Sequence, residues 1–393
     1  MARCARGAAG GDDVTPIVER IREAAAERRP LRVTSAGTWL SAGHPVDAGD
    51  TLSLADHAGI VEYVPGDLTL TARAGTTLSE ITAATGANDQ WLPLDPWGGD
   101  DGTLGATLAT ATAGPHAHSM GLPRDVVLGV EFVTGTAQVV RAGGRVVKNV
   151  AGFDLTRLIT GSWGTLGVIV EATVRLRARP QQTRTLVIPA QTTRADLSAL
   201  AMQLRALPFT PLASELVNAR LAAHLELGAH ACLLVRVGGN AHSVSAQLDR
   251  LRELGVPTDA SETVWNTLRT AERGAVASWR WSNLPSEFGE TWTAADVATR
   301  PLEGGGGAFI HGNPARGVVR VAVMQPKATP AKLAQAASDF HGTIAIEQLP
   351  PAAWSLLPPS SRRSGLSRAI REKFDPAGVL NPGIMEHEMG ALA

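Results

Sequence analysis

Apolar positions recur at helical spacing from Val14 to Arg29, with Ala, Glu and Arg between them, and Thr15-Pro16 opens the segment as a helix start. Leu31-Arg32-Val33, Leu52-Ser53-Leu54 and Gly59 to Tyr63 read as short strands. Leu68 to Ala74 alternates apolar and polar residues one by one, the mark of a half-buried strand. Thr77 to Thr85 predicts a helix ended by Gly86, and Val126 to Thr134 with Val139 to Arg141 predicts a hairpin around Gly135. Strands and short helices thus mix without the even rhythm of a doubly wound sheet, which predicts an α+β fold.

Beyond Arg177 to Gln182, a segment containing Pro180, the pattern slows. Strands are expected at Thr185–Ile188, Ala213–Val217, Cys232–Val237, Trp279–Trp281, Ala308–His311, Val318–Val323 and Thr343–Glu347. Helices are expected at Arg194–Leu207, Ala241–Leu254 and Pro330–Phe340. Such modules predict an antiparallel sheet covered by helices on one face. Ser361 to Phe374 predicts a final helix, halted before Pro376. The expected division is 1–180, 181–360 and a C-terminal segment, 361–393.

Composition narrows the classes. The chain has 393 residues, 44% of them hydrophobic and 19% charged, with a formal net charge of −1. Nothing argues for nucleic acid, and no basic run with interleaved aromatics occurs. Two cysteines, Cys4 and Cys232, build neither a disulfide framework nor a cysteine-ligated cluster. The start, MARCARGAAGGDD, lacks an apolar core, and no apolar run approaches the ~20 residues of a membrane span. A cytoplasmic protein is expected, reaching a membrane only through partners. Most of the nine tryptophans, among them Trp265, Trp279, Trp281 and Trp292, are expected in the core.

Two glycine-rich stretches carry the chemistry. One runs GRVVKNVAGFDLTRLITGSWGTLGVIVEATVRL from Gly144 to Leu176, with Gly161, Gly164, Thr165 and Gly167 before Val168-Ile169-Val170. The other holds Gly98, Gly99, Gly102 and Gly105, then small residues and hydroxyls to Gly114. Glycines before a strand let backbone lie close to a bulky partner. The two stretches are expected as two walls of one cofactor site. The second offers Thr103, Leu104, Gly105, Ala106, Thr107, Ala109, Thr110 and Gly114, extended by Gly121 and by Arg124 with Asp125, which read equally as a surface ion pair. The loop Ser35-Ala36-Gly37-Thr38-Trp39 suits converging amides on a phosphate. No G-x-G-x-x-G fingerprint or Walker A sequence occurs, so classical NAD and NTP sites lack support.

The order of these segments resembles the FAD-binding domain of the vanillyl-alcohol oxidase / p-cresol methylhydroxylase superfamily, over about residues 30–180 and again in FDPAGVLNPG. The wording KNVAGFDLTRLITGSWGTLGV is similar to the FAD-binding E subunits of bacterial glycolate oxidases, most specifically in Lys148 to Gly152 with Asp154. The resemblance implies a two-part FAD-binding domain with FAD as cofactor. It implies the pyrophosphate at residues 35–39, the adenine end at 161–169, and Asn381 reaching back to the flavin from the C-terminus. Lys148 and Asp154 read as structural, with Asp154 capping the helix at Leu155. The 35–40 loop holds neither His nor Cys, so the FAD is expected to be non-covalent.

Related D-2-hydroxy-acid dehydrogenases use a metal held by paired histidines and a distant Glu. The corresponding place here reads Phe309-Ile310-His311-Gly312-Asn313-Pro314-Ala315-Arg316-Gly317, followed by Val318, Val319 and Arg320. A second His is missing, so no metal is expected, and His311, the one weak catalytic candidate, reads as a lone polar side chain at a strand end. Three functions stay open. The first is an FAD-binding subunit of a glycolate oxidase-like complex, with a second flavoprotein subunit and an iron–sulfur subunit as partners. The second is a stand-alone FAD-dependent 2-hydroxy-acid dehydrogenase. The third is a structural subunit without catalysis.

Overall fold

A computed structural model describes residues 14–144, 154–302, 307–325, 327–357 and 365–385. Cys4, the Lys148 to Gly152 motif and Gly304 to Gly306 lie outside the described residues. The chain opens on the helix Thr15–Glu27, with Pro16 in its first turn and Ile17, Ile21 and Ala24 buried. Arg28 ends it in the left-handed region at φ 52°.

Nine strands follow: β1 Leu31–Thr34, β2 Asp50–Ser53, β3 Ile60–Val64, β4 Thr69–Arg73, β5 Gln90–Trp91, β6 Val127–Val133, β7 Val139–Gly143, β8 Val168–Arg175 and β9 Arg177–Ala178. β1 and β2 pair in parallel. β3, β4, β8, β6 and β7, in that spatial order, make an antiparallel sheet. Its core gathers Leu70, Ala72, Phe132, Val170, Val174 and Leu104 with Ile21 of the first helix. The C-terminal segment returns to this unit: Leu380 bridges Leu31, and the Asn381 amide donates to the Leu31 carbonyl at 3.0 Å.

The second sheet has eight strands: β10 Gln182–Pro189, β11 Ala213–Val217, β12 Cys232–Gly239, β13 Thr258–Ala260, β14 Ala277–Ser282, β15 Ala308–Asn313, β16 Val318–Val323 and β17 Thr343–Gln348. They lie in the order β13-β10-β12-β11-β15-β16-β14-β17, every pair antiparallel. Alternation splits the sheet into two faces. Leu186, Leu216, Val235, Trp279, Trp281, Ile310, Val321 and Ile344 face a helix-covered core. The opposite face carries Arg236, Glu215, His311, Arg320, Arg280 and Glu347, and part of it is covered by an apolar cluster around Trp97, Trp265 and Leu268. Trp265, Trp279, Trp281 and Trp292 are all buried, as expected of core residues.

The pattern missed several helices, among them Val264–Thr270 and Phe288–Thr299. The latter buries Phe288, Gly289, Thr291, Trp292, Ala295 and Thr299 along one side. That side mixes threonines and a glycine with the aromatics while Val297 is exposed on the other, so the apolar pattern does not show the helical period. Among the described residues no helix is long and apolar enough to cross a membrane.

Candidate functional site

β1 delivers the chain into the loop at residues 35–39, where Gly37 takes a left-handed φ of +76°. Among the described residues, the backbone N–H groups of Ser35, Ala36, Gly37, Thr38 and Trp39 have no acceptor. The Ser35 hydroxyl and the Arg32 Nη1 are buried without a partner. Arg32 donates through Nη2 to the Leu40 carbonyl at 3.1 Å, and burial draws its pKa below the ordinary arginine value. Successive unengaged amides beside a guanidinium make an anion-binding concavity.

A cleft of roughly 740 Å³, its open mouth included, opens from this loop. Of the residues expected to bind the cofactor, Ser35, Gly37, Thr38, Trp39, Gly105, Ala106, Ala109, Thr110, Gly164, Gly167, Val168, Ile169 and Asn381 line it. Gly105, Ala106, Ala109 and Thr110 come from the helix Leu104–Thr110, packed with its start on β4. A Cβ on Gly105 would sit 2.5 Å from the Ala74 Cβ, so this glycine lets helix and strand touch rather than making room for a ligand. Gly164, at φ +70°, faces the Asn381 amide, 2.8 Å from where a Cβ would stand. Asn381 clips two walls together: its Oδ1 accepts from the Val33 amide and its Nδ2 donates to the Trp163 carbonyl, both at 2.8 Å.

The remaining candidates stand behind these walls or away from them. Ala36 belongs to the loop but does not line the cleft. Thr103 caps the helix by accepting from the Ala106 amide, Thr107 donates to the Thr103 carbonyl, and Leu104 is fully buried. The Gly161 amide donates across to the Leu108 carbonyl of the Leu104–Thr110 helix, and the Thr165 hydroxyl donates to the Ser162 carbonyl in its own turn. Gly114 is pressed on the Asp95 carbonyl. Asp125 holds the Leu122 amide and faces Arg157 rather than Arg124, and neither it, Gly121 nor Arg124 lines the cleft. Asp154 caps the helix Leu155–Ile159 by accepting from the Arg157 amide. Sequence reasoning missed Arg32, Val33, Thr34, Leu40, Leu54, Ala74, Trp163 and Ile384. Trp163, between glycines and at φ +54°, carried the one available signal.

A second cavity, of about 1090 Å³, adjoins the first: Trp39, Thr110, Trp163 and Ile384 line both. Its far side is the charged face of the eight-stranded sheet, with Arg280, Ser282, Arg320, Thr343 and Glu347. His311 is 1% exposed and is not the lone strand-end residue expected. Its Nδ1 lies 2.7 Å from Glu215 Oε1 and its Nε2 2.8 Å from Glu272 Oε1. Arg320, opposite His311 across the β15–β16 hairpin, donates from Nε and Nη2 to both oxygens of Glu272, at 2.9 and 2.7 Å. Its Nη1 donates to Glu347 Oε1 at 2.9 Å, and Nη2 reaches the other Glu347 oxygen. Trp97 lies over this group, its ring 5.0 Å from the Arg320 guanidinium carbon and 4.6 Å from the imidazole.

Burial opposes every charge in this group. For Glu272, Arg320 and His311 outweigh it and hold the carboxyl far below the carboxylate range. For His311, the bonds to Glu215 and Glu272 outweigh it and raise the pKa. For Glu215, burial prevails over His311 and the pKa rises. Both ring nitrogens face carboxylates, so neither is open to a further partner. His311 lines neither cavity, so it is not placed to touch a reactant.

The first cleft fits FAD. Its unengaged amides and the orphaned Ser35 hydroxyl suit a pyrophosphate, and its walls of Gly, Ala and Thr leave room for flat rings. Among the described residues, no His or Cys lines either cavity.

Residues 11–143 match the FAD binding domain family. Glycolate oxidase subunit GlcE of Escherichia coli is 38% identical over 197 residues, which is 50% of this chain and 56% of that protein. Glycolate oxidase subunit GlcD of Bacillus subtilis is 25% identical over 94% of this chain and 87% of its own length. D-lactate dehydrogenase of Archaeoglobus fulgidus is 30% identical over 49% of this chain and 42% of that protein. The match therefore spans about half the length of the first and third of these relatives. In fold, p-cresol methylhydroxylase with substrate bound superposes with a TM-score of 0.73 at 16% identity, covering 95% of this chain and 87% of that one. Alkyldihydroxyacetonephosphate synthase gives 0.66 at 18% identity, covering 94% and 75%.

Proposed function

We propose for this chain, whose residues 11–143 match the FAD binding domain family and whose fold is that of p-cresol methylhydroxylase, the role of an FAD-binding subunit in a 2-hydroxy-acid oxidoreductase complex. The observation that carries this reading is the pairing of two cavities: one walled by unengaged amides, the other bordered by Arg280 and Arg320 and, among the described residues, without a free base. FAD, when bound, supplies a two-electron acceptor. Ser35 to Trp39 hold its phosphates, the Gly105–Thr110 helix and the Trp163–Ile169 loop shape its bed, and Asn381 locks the walls. Oxidising a hydroxy acid also needs a group that removes the hydroxyl proton. Both His311 nitrogens are engaged, and Glu347 is fixed by Arg320, so neither serves. Arg280 is placed to orient a carboxylate.

On this reading electrons reach or leave the chain through a second flavoprotein subunit and an iron–sulfur partner, and any membrane contact is made by those partners. Residues 1–180 form the FAD domain, 181–360 the covering domain, and 361–393 the closing segment. An absorption spectrum of the purified chain, before and after glycolate or D-lactate, tests this. A yellow protein that releases its flavin on acid precipitation and is not bleached by substrate is expected. Rapid bleaching of the isolated chain would establish the stand-alone dehydrogenase instead, and a colourless protein would sink the FAD assignment.

A further inference from the structure

The metal that the hydroxy-acid dehydrogenase resemblance implies does not fit this chain. Glu215, Glu272, Glu347 and His311 come from four separate stretches and converge on one patch of the sheet, a set rich enough in donors for a divalent ion. Yet their lone pairs point at N–H groups. Arg320 engages both oxygens of Glu272 and both of Glu347. The His311 nitrogens face Glu215 and Glu272. A metal ligand needs an open lone pair at the binding atom, and both nitrogens of this imidazole are already taken by carboxylates. Among the described residues no group of three or more His, Cys, Asp or Glu is arranged to hold a metal.

We infer that the Arg320 guanidinium is the resident cation of this site and takes the place of a divalent metal. The planar fork binds Glu272 along one edge and Glu347 along the next, which a spherical ammonium cannot do. Of its five N–H donors, four are used in these bonds, so one remains. Trp97 closes the exposed face by cation–π contact. The chain gains cross-strand ties between β16 and β17 and to the turn before β14, without needing an ion. The register predicts the converse as well. Arg320 stands directly opposite His311, so a histidine there would face it, with Glu272 and Glu347 beside the pair.

The test is metal binding by the flavin-loaded chain, independent of activity and of the subunit role. Wild type is titrated with Zn²⁺ and Mn²⁺ by calorimetry and its metal content measured after dialysis. No stoichiometric uptake dependent on His311 is expected. Arg320→His is expected to take up about one equivalent of Zn²⁺, lost again when His311→Gln is added. One equivalent bound by wild type and removed by His311→Gln overturns the inference. So does a folded, flavin-bearing Arg320→His that stays metal-free, because the guanidinium would then not be what excludes the ion. If Arg320→His fails to fold, the wild-type comparison with His311→Gln decides alone.

Discussion

The cofactor cleft and the charged face of the eight-stranded sheet meet at Trp39 and Trp163 but are built by opposite means. The cleft is main chain and small side chains: amides at Ser35–Trp39, a helix start at Gly105 and a tight turn at Gly164. The sheet face is long charged side chains, satisfied against one another from Glu215, Glu272, His311, Arg320 and Glu347. The first leaves polar groups open for something else to satisfy. The second leaves almost none open. A binding surface must keep its hydrogen-bonding capacity in reserve, whereas a structural cluster must exhaust its own.

The largest effect that separates the two regions is expected at Arg320. Arg320→Ala strands Glu272 and Glu347 in a buried site, and breaking such a pair from one side costs about 3–5 kcal/mol. Chemical denaturation should show that loss. Arg32→Ala, at the cleft, removes a guanidinium with one bond to a carbonyl and should cost far less stability while weakening FAD binding. A loss under about 1 kcal/mol for Arg320→Ala would mean the cluster is not structural, and the contrast fails.

Two glycines sharpen the comparison within the cleft. Gly164→Val forces a β-branched residue into φ +70° and into the Asn381 clip, so flavin content should drop by tenfold or more with a modest fall in melting temperature. Gly105→Val drives its side chain into the Ala74 backbone, which cannot yield as a side chain can. That variant should lose folding and flavin together. Flavin content against melting temperature for both proteins checks this; equal behaviour would mean the two glycines do the same job.

The same contrast explains what the sequence revealed. Runs such as Gly161-Ser162-Trp163-Gly164 and Gly105-Ala106 are local, so the walls of the cleft could be read from the chain, and short strands such as Ala213–Val217 and Val318–Val323 stand where expected. The charged cluster draws on positions from 215 to 347, joined by strand order β11-β15-β16-β14-β17. His311 looked solitary because its partners are neighbours only through sheet register and a turn after the Val264–Thr270 helix. Threonines 103 and 107 misled for a local reason: a hydroxyl at a helix start or one turn inside bonds the helix's own backbone before it can reach a ligand.

The smallest expected effect concerns the seam where the two regions meet. His118, from the N-terminal unit, places Nδ1 3.0 Å from the Ser214 hydroxyl of β11. Burial, then Arg316 and Arg205, lower its pKa from 6.5 to about 4. The folded state therefore binds fewer protons than the unfolded state between these values. By linkage its contribution to stability is complete above about pH 6.5, declines as pH falls toward about 4, and is constant below. Glu272 loses its stabilising charge only at far lower pH, so it does not contribute to this window. Melting temperature should fall between pH 7 and 4.5, and His118→Asn should flatten part of that slope while leaving the neutral-pH flavin spectrum unchanged. An identical slope in the variant would show that His118 does not report on the seam, and that acid acts on the two regions separately.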